Sequence, residues 1–166
     1  MVQIVEAHGV LLDDVEKLVA KVFPWRDLPE RMSFWAYRRQ GNSLVRMLMR
    51  LYGVSSFINI WAAVKNGGKV CGTTGLYLDK KDEHEAVWLS WFCVDPVQRR
   101  QGIGKMLIEF SIEKAKESGK DYLRLYTSDH SSEAAAQGLY EKYGLVVFRK
   151  EKYESDTYLY RELNLK

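Results

Sequence analysis

The stretch of this chain best suited to chemistry is Val94-Asp95-Pro96-Val97-Gln98-Arg99-Arg100-Gln101-Gly102-Ile103-Gly104, where an apolar strand turns directly into an amphipathic helix. A helix start presents backbone N–H groups without carbonyl partners and carries partial positive charge. Gly102 and Gly104 have no side chains to hold a ligand away, and Arg99, Arg100 and Lys105 add charge around them. The ligand that suits such a turn is a pyrophosphate. A glycine pair at a helix start also serves close packing alone, so the neighbouring basic residues are what favour an anion. Two familiar nucleotide turns do not fit. A dinucleotide fingerprint needs glycine where Leu107 stands, and a phosphate loop needs Ser or Thr where Met106 follows Lys105.

Holding that turn in place takes a sheet and covering helices. Val2 to Glu6 alternates as a strand, and Asp13 to Phe23 has helical spacing until Pro24 stops it. Phe34 to Tyr52 reads as one or two helices, broken near Gly41-Asn42. Phe57 to Val64 and Val70 to Leu78 form a hairpin around Asn66-Gly67-Gly68, and Ala86 to Val94 is a long apolar strand. A helix follows from Ile103 to Ser118, closed by Gly119, then a strand from Tyr122 to Thr127. Ser131 or Ser132 caps a helix running to Tyr143, Gly144 ends it, and Leu145 to Lys150 and Thr157 to Leu165 are the last strands. Period two along Ala86 to Val94 puts Trp88 and Trp91 on opposite faces. The order β-α-α-β-β-β-α-β-α-β-β predicts an α/β fold around one mixed central sheet, in a single domain over residues 1–166.

Composition agrees. With 166 residues, 46% hydrophobic, and three prolines, the chain has material for a real core, which excludes disorder. No apolar run reaches the roughly 20 residues of a membrane span, and Met1 to Asp14 is acidic rather than a basic leader; the expectation is a soluble, cytoplasmic protein without membrane partners. Cys71 and Cys93 lie in strands without metal-site or disulfide-scaffold spacing, so no metal is expected. A net charge of +3 is too mild to mark a nucleic-acid binder, and the acidic runs Asp79 to Glu85 and Glu151 to Asp156 weigh against one.

Arg99-x-x-Gly102-x-Gly104 after a strand ending Val94-Asp95-Pro96 resembles motif A of the GNAT superfamily of N-acetyltransferases. Ala134-Ala135-Ala136-x-x-Leu139-Tyr140-x-x-x-Gly144-Leu145 resembles the family's helix-to-strand signature, and the match spans about Trp88 to Phe148. The resemblance implies acetyl-CoA as cosubstrate and a mostly antiparallel sheet of about seven strands flanked by about four helices. It implies coenzyme contacts from Arg99, Arg100, Gln101, Gly102, Ile103, Gly104 and Lys105. The strand before the turn splays from its neighbour in the family, which places main-chain groups of Phe92, Cys93 and Val94 at the pantetheine arm, with the Val94 N–H polarising the acetyl carbonyl. Tyr140 falls where many relatives keep a tyrosine that protonates the leaving thiolate, and a phenol near pKa 10 suits that task. A helix tyrosine packed on the sheet is the plainer reading. Seven positions before Tyr140, where relatives often have asparagine, stands Glu133; with Ser132 it is a candidate coenzyme contact, or simply a carboxylate favouring the helix dipole.

The general base is the gap in the pattern, because Trp88 occupies the strand position where several relatives have glutamate, fourteen before Gly102. Glu83 and Glu85 precede that strand and could act through water, although solvated loop charges look the same in sequence. The resemblance places the acceptor amine between the first helices and the final hairpin, which makes Trp25, Phe34, Trp35 and Trp88 candidate acceptor contacts, against core packing as the bland alternative. The expected activity is acetyl transfer from acetyl-CoA to a primary amine, most simply of a small molecule, by direct attack in a ternary complex. The competing reading is a non-catalytic acyl-CoA-binding or sensor module of the same fold. Many relatives pair as homodimers.

Overall fold

A computed structural model describes residues 1–24, 28–65, 67–130, 133–153 and 156–166. Its elements are β1 (Val2–Glu6), α1 (Gly9–Val22), α2 (Leu28–Arg38), α3 (Ser43–Leu51), β2 (Val54–Lys65), β3 (Val70–Asp79), β4 (Ala86–Val94), a 3-10 turn (Pro96–Gln98), α4 (Ile103–Glu117), β5 (Tyr122–Ser128), α5 (Ala134–Lys142), β6 (Val146–Tyr153) and β7 (Asp156–Asn164). The strands form one sheet in the order β1-β2-β3-β4-β5-β7-β6. Only β4 and β5 run parallel; the other neighbours are antiparallel. Mixed α/β architecture with seven strands is the expected fold, with five α-helices among the described residues rather than about four. The extra helix comes from the break near Gly41: the Asn42 side chain accepts from the N–H groups of Leu44 and Val45 and starts α3 afresh. No helix among the described residues is long and apolar enough to cross a membrane.

Helices cover both faces of the sheet. On one face Leu12, Val15, Val19, Phe34, Val45 and Met49 from α1, α2 and α3 pack on Phe57, Ile60 and Ala62. On the other, Ile108 and Ala115 of α4 and Tyr140 of α5 pack on Leu76, Val87, Leu89, Leu123 and Leu125. Gly72 lets α4 lie close against β3, since a Cβ there would sit 2.9 Å from Leu107 Cδ1 and 3.0 Å from the Cys93 carbonyl oxygen.

The expected alternation of Trp88 and Trp91 does not hold. The β3–β4 register slips between Thr73 and Gly75, so that two residues of β4, Trp91 and Phe92, stand opposite Thr74, and Trp91 takes φ 49°. The extra residue turns the Trp91 indole onto the α1/α2 face, 5.6 Å from Phe34 and 6.4 Å from Phe23 between ring centroids. Trp88 faces the same way, beside its cross-strand partner Tyr77. Such a backbone conformation costs a tryptophan about 1–2 kcal/mol, which the burial of the indole offsets.

Candidate active site

The bulge lies where the two parallel strands part. β4 and β5 pair through Ala86/Tyr122, Val87/Leu123 and Trp88/Arg124 and no further, which leaves the second half of β4 without a strand on that side. Asp95 N–H donates to the Cys71 carbonyl at 3.0 Å. Alternate residues of an antiparallel ladder bond the same neighbour, so Val94, paired with Gly72, turns its N–H away from β3 and toward the opening.

The turn after β4 is held from both ends. The Asp95 carboxylate accepts from the Val97 N–H at 3.2 Å and from Lys21 Nζ at 2.8 Å, and the Lys21 bond holds its pKa below the ordinary value. Lys65 Nζ donates to Gln98 and Gln101, the latter at 2.7 Å, so the Gln101 side chain is engaged with the protein. Arg99 Nε reaches back to the Val94 carbonyl at 3.4 Å. Arg100 and Gly102 take left-handed conformations with φ 62° and φ 80°, which swing the chain into α4. Gly102 caps α4 with no side chain, and the first intrahelical bond runs from Met106 N–H to Gly102 O at 3.1 Å. The N–H groups of Ile103, Gly104 and Lys105 therefore precede the helical ladder. Gly104 sits at the mouth of the opening, where a Cβ would lie 3.6 Å from Leu139 Cδ2 of α5 and 3.8 Å from Val94 Cγ2. Arg99, Arg100 and Lys105 stay exposed around this start, and Lys105 pairs loosely with Glu109 at 3.8 Å.

Tyr140 lines the α5 side of the opening, buried, with its ring 5.7 Å from that of Phe92. Burial pushes the phenol well above its ordinary pKa; Glu133 and Cys93 push it the same way, and Arg161 opposes them. The hydroxyl therefore keeps its proton at neutral pH. A phenol this weak as an acid is suited to donating a hydrogen bond to an anion rather than to giving up its proton outright. The sequence expectation of a phenol near pKa 10 is corrected accordingly, because desolvation penalises the phenolate.

Residues 21–145 match the Acetyltransferase (GNAT) family. The chain belongs to that family. Among its relatives, the GCN5-related N-acetyltransferase 6, chloroplastic, of Arabidopsis thaliana is 31% identical over 96 residues, which cover 56% of this chain and 33% of that protein. The chain thus matches about a third of that relative's length. A solved acetyltransferase of the GNAT family from Staphylococcus aureus superposes with TM-score 0.73 over 100% of both chains at 21% identity. A GNAT family N-acetyltransferase from Escherichia coli, solved in complex with CoA, superposes with TM-score 0.70 at 16% identity, covering 99% of this chain and 82% of that one.

Within this GNAT fold, some residues singled out in the sequence gather at the opening and others do not. Phe92, Cys93, Val94, the 99–105 turn and Tyr140 converge there. Glu133 stands at the start of α5, but its carboxylate is taken up by the end of β5: it accepts from Thr127 Oγ1, from Ser128 Oγ at 2.8 Å and from Ser128 N–H at 3.1 Å. It anchors the helix start. Ser132 and Trp25 lie outside the described residues.

Glu83 and Glu85 are misplaced for a base. They precede Ala86, at the closed end where β4 and β5 pair, and a nine-residue strand puts Val94 roughly 25 Å away. Both are also engaged, Glu83 with Ser55 and Arg50 and Glu85 with Arg124 at 2.8 Å. Phe34 is fully buried against Trp91, in the core and not on an open acceptor wall. Trp88 is buried as well, donating from Nε1 to Asp82 at 2.9 Å and packing against Tyr77 and Tyr160. Trp35 remains exposed under the Arg39 guanidinium, 5.2 Å from its ring centroid. Gly72, Lys65, Lys21, Gln137 and Arg161 also shape the site and carry no local signal in the sequence. Each matters only through a partner distant along the chain, so no local spacing betrays it.

Proposed function

We propose that this GNAT chain binds acetyl-CoA in the opening between β4 and β5 and transfers the acetyl group to a primary amine. The observation that carries the reading is the end of β4–β5 pairing at Trp88/Arg124, with the Val94 N–H turned into the gap beside the uncapped start of α4. The N–H groups of Ile103, Gly104 and Lys105 meet the pyrophosphate, with Arg99, Arg100 and Lys105 adding exposed positive charge. The pantetheine arm then runs along Phe92, Cys93 and Val94 and adds the strand contacts that β5 does not make. That arm brings the thioester between the Val94 N–H, which polarises the carbonyl, and the Tyr140 hydroxyl, which donates to the sulfur as the C–S bond breaks. The amine attacks in neutral form from the α1/α2 face of β4, and the proton it sheds passes to solvent water. Holding the two reactants in line supplies much of the acceleration. The bound CoA of the Escherichia coli neighbour supports the ligand, and the bare helix start supports its pyrophosphate end.

A small-molecule amine is the acceptor this reading favours. The test is calorimetric titration with acetyl-CoA, followed by a screen of small amines for release of free CoA thiol. Binding without release from any amine would favour the second reading, a non-catalytic acyl-CoA-binding module. The observation behind that alternative is β4 itself, which carries no acidic residue and has Trp88 packed tight where an acid would stand.

A further inference from the structure

Arg161 of β7 is 3% exposed, a charge taken almost wholly out of water. Burying a guanidinium is costly unless its N–H groups find acceptors. Its Nε donates to Gln137 Oε1 at 3.0 Å, and its terminal nitrogens donate to the Leu145 carbonyl at 3.0 Å and to Glu141 Oε1 at 2.9 Å. Gln137 and Glu141 lie one turn apart on α5 and bracket Tyr140. Leu145 is where the chain has left the helix, and its N–H donates to the Tyr140 carbonyl at 3.0 Å. One side chain therefore grips α5 before, after and beyond Tyr140. Gln137 extends the grip to the end of β5, donating to the Ser128 carbonyl at 2.6 Å and to Thr127 Oγ1 at 3.3 Å.

Stability alone does not call for this device. The Glu141 side chain is 65% exposed, so the ion pair contributes little, and an apolar residue could fill the same space. What a planar guanidinium adds is direction, because its fixed fork allows one rotation of the helix about its axis. A helix with its side chains is about 10–12 Å across, so turning it by 10° sweeps a side-chain tip through roughly 1 Å. A shift of about 1 Å is enough to cost about a hundredfold in rate.

We propose that Arg161 is the positioning residue for Tyr140, holding α5 at the rotation that aims the phenol at the coenzyme sulfur. The inference rests on the reading of Tyr140 given above. It is tested without an acceptor amine, by comparing the affinities of CoA and desulfo-CoA at pH 9 by calorimetry. At that pH part of the coenzyme thiol is thiolate, and the share, with the preference it confers, should grow as pH rises further. The titratable and charged groups that bear on the phenol are Glu133 just before α5, Cys93 on β4 and Arg161 on β7, and the Tyr140→Phe comparison, which leaves them in place, separates their effect on the thiolate from that of the phenol.

A bond from phenol to thiolate should make the unmodified protein favour CoA by about tenfold or more. Tyr140→Phe should bring that preference close to one. Arg161→Lys should cut it to about threefold or less while leaving desulfo-CoA affinity unchanged, and should do nothing further in the Tyr140→Phe background. Gln137→Met, which removes one acceptor without burying a new charge, should also reduce the preference and covers the case in which Arg161→Lys fails to fold. The inference is overturned if folded variants keep the full preference, or if they weaken both ligands alike, as a purely structural role would. A preference near one in the unmodified protein would instead sink the reading of Tyr140, and this inference with it.

Discussion

Gly102→Val separates backbone strain from ligand binding. Gly102 has φ 80°, and a Cβ built on it meets nothing within 4 Å. Within the protein the substitution therefore costs only the left-handed conformation, about 1–2 kcal/mol. For a chain of this size that lowers the melting midpoint by about 2–8 °C, small enough for the protein to stay folded. In the proposed binding mode that space is the approach of the pyrophosphate, and the isopropyl group would stand in it. Losing two charge-assisted hydrogen bonds to phosphate, at about 1.5–3 kcal/mol each, removes at least ~3 kcal/mol of binding, which is more than a hundredfold in Kd. The assay is calorimetric titration with CoA beside a thermal melt of the same sample, with Gly102→Ala as a variant of less strain and less bulk. The expected order of affinity is glycine, alanine, valine, with both variants still folded at the temperature of the titration. A folded Gly102→Val protein that binds CoA within threefold of the unmodified one would refute the placement of the pyrophosphate.

Three further outcomes follow from the same geometry. Tyr140→Phe should lower kcat about ten- to a hundredfold, the worth of a hydrogen bond to a charged group, with acetyl-CoA affinity within about threefold, read by thiol release and titration. Asp95→Asn tests the anchor of the turn: because Lys21 holds the carboxyl below its ordinary value of 3.8, the stability it gives is fully present above that pH and is lost as pH falls through the lower folded value. Urea melts at pH 7 and pH 3 should therefore differ less for Asp95→Asn than for the unmodified protein, and an unchanged difference would contradict the pairing. Gly72→Ala puts a methyl 2.9 Å from Leu107 Cδ1 and 3.0 Å from a carbonyl oxygen, so it should destabilise the fold by about 1–3 kcal/mol and shift α4, whereas an unchanged urea midpoint would argue against the tight contact.

Legibility in the sequence followed the range of the interactions. The turn could be read because Asp95, Arg99, Gly102 and Gly104 act within one short stretch, and the ends of β4 and α4 were legible to within a residue for the same reason. Trp91 was misread because period-two reasoning assumes an unbroken pleat, and the bulge opposite Thr74 is fixed by packing on Phe34, far away in sequence. Glu83 and Glu85 looked available because only the fold reveals Arg50 and Arg124 beside them. Phe34 and Trp88 show the same limit: an aromatic residue's type does not say whether it lines a pocket or fills a core. Arg161 was illegible altogether, since its partners Gln137, Glu141 and Leu145 lie some 16 to 24 positions upstream.

The most direct test of the account is to follow backbone amide resonances during titration with CoA. Large, saturable shifts are expected at Val94, Ile103, Gly104 and Lys105, with little change at Glu83 and Glu85. Shifts confined to another part of the sheet, or none at the 102–105 amides under saturating CoA, would contradict it.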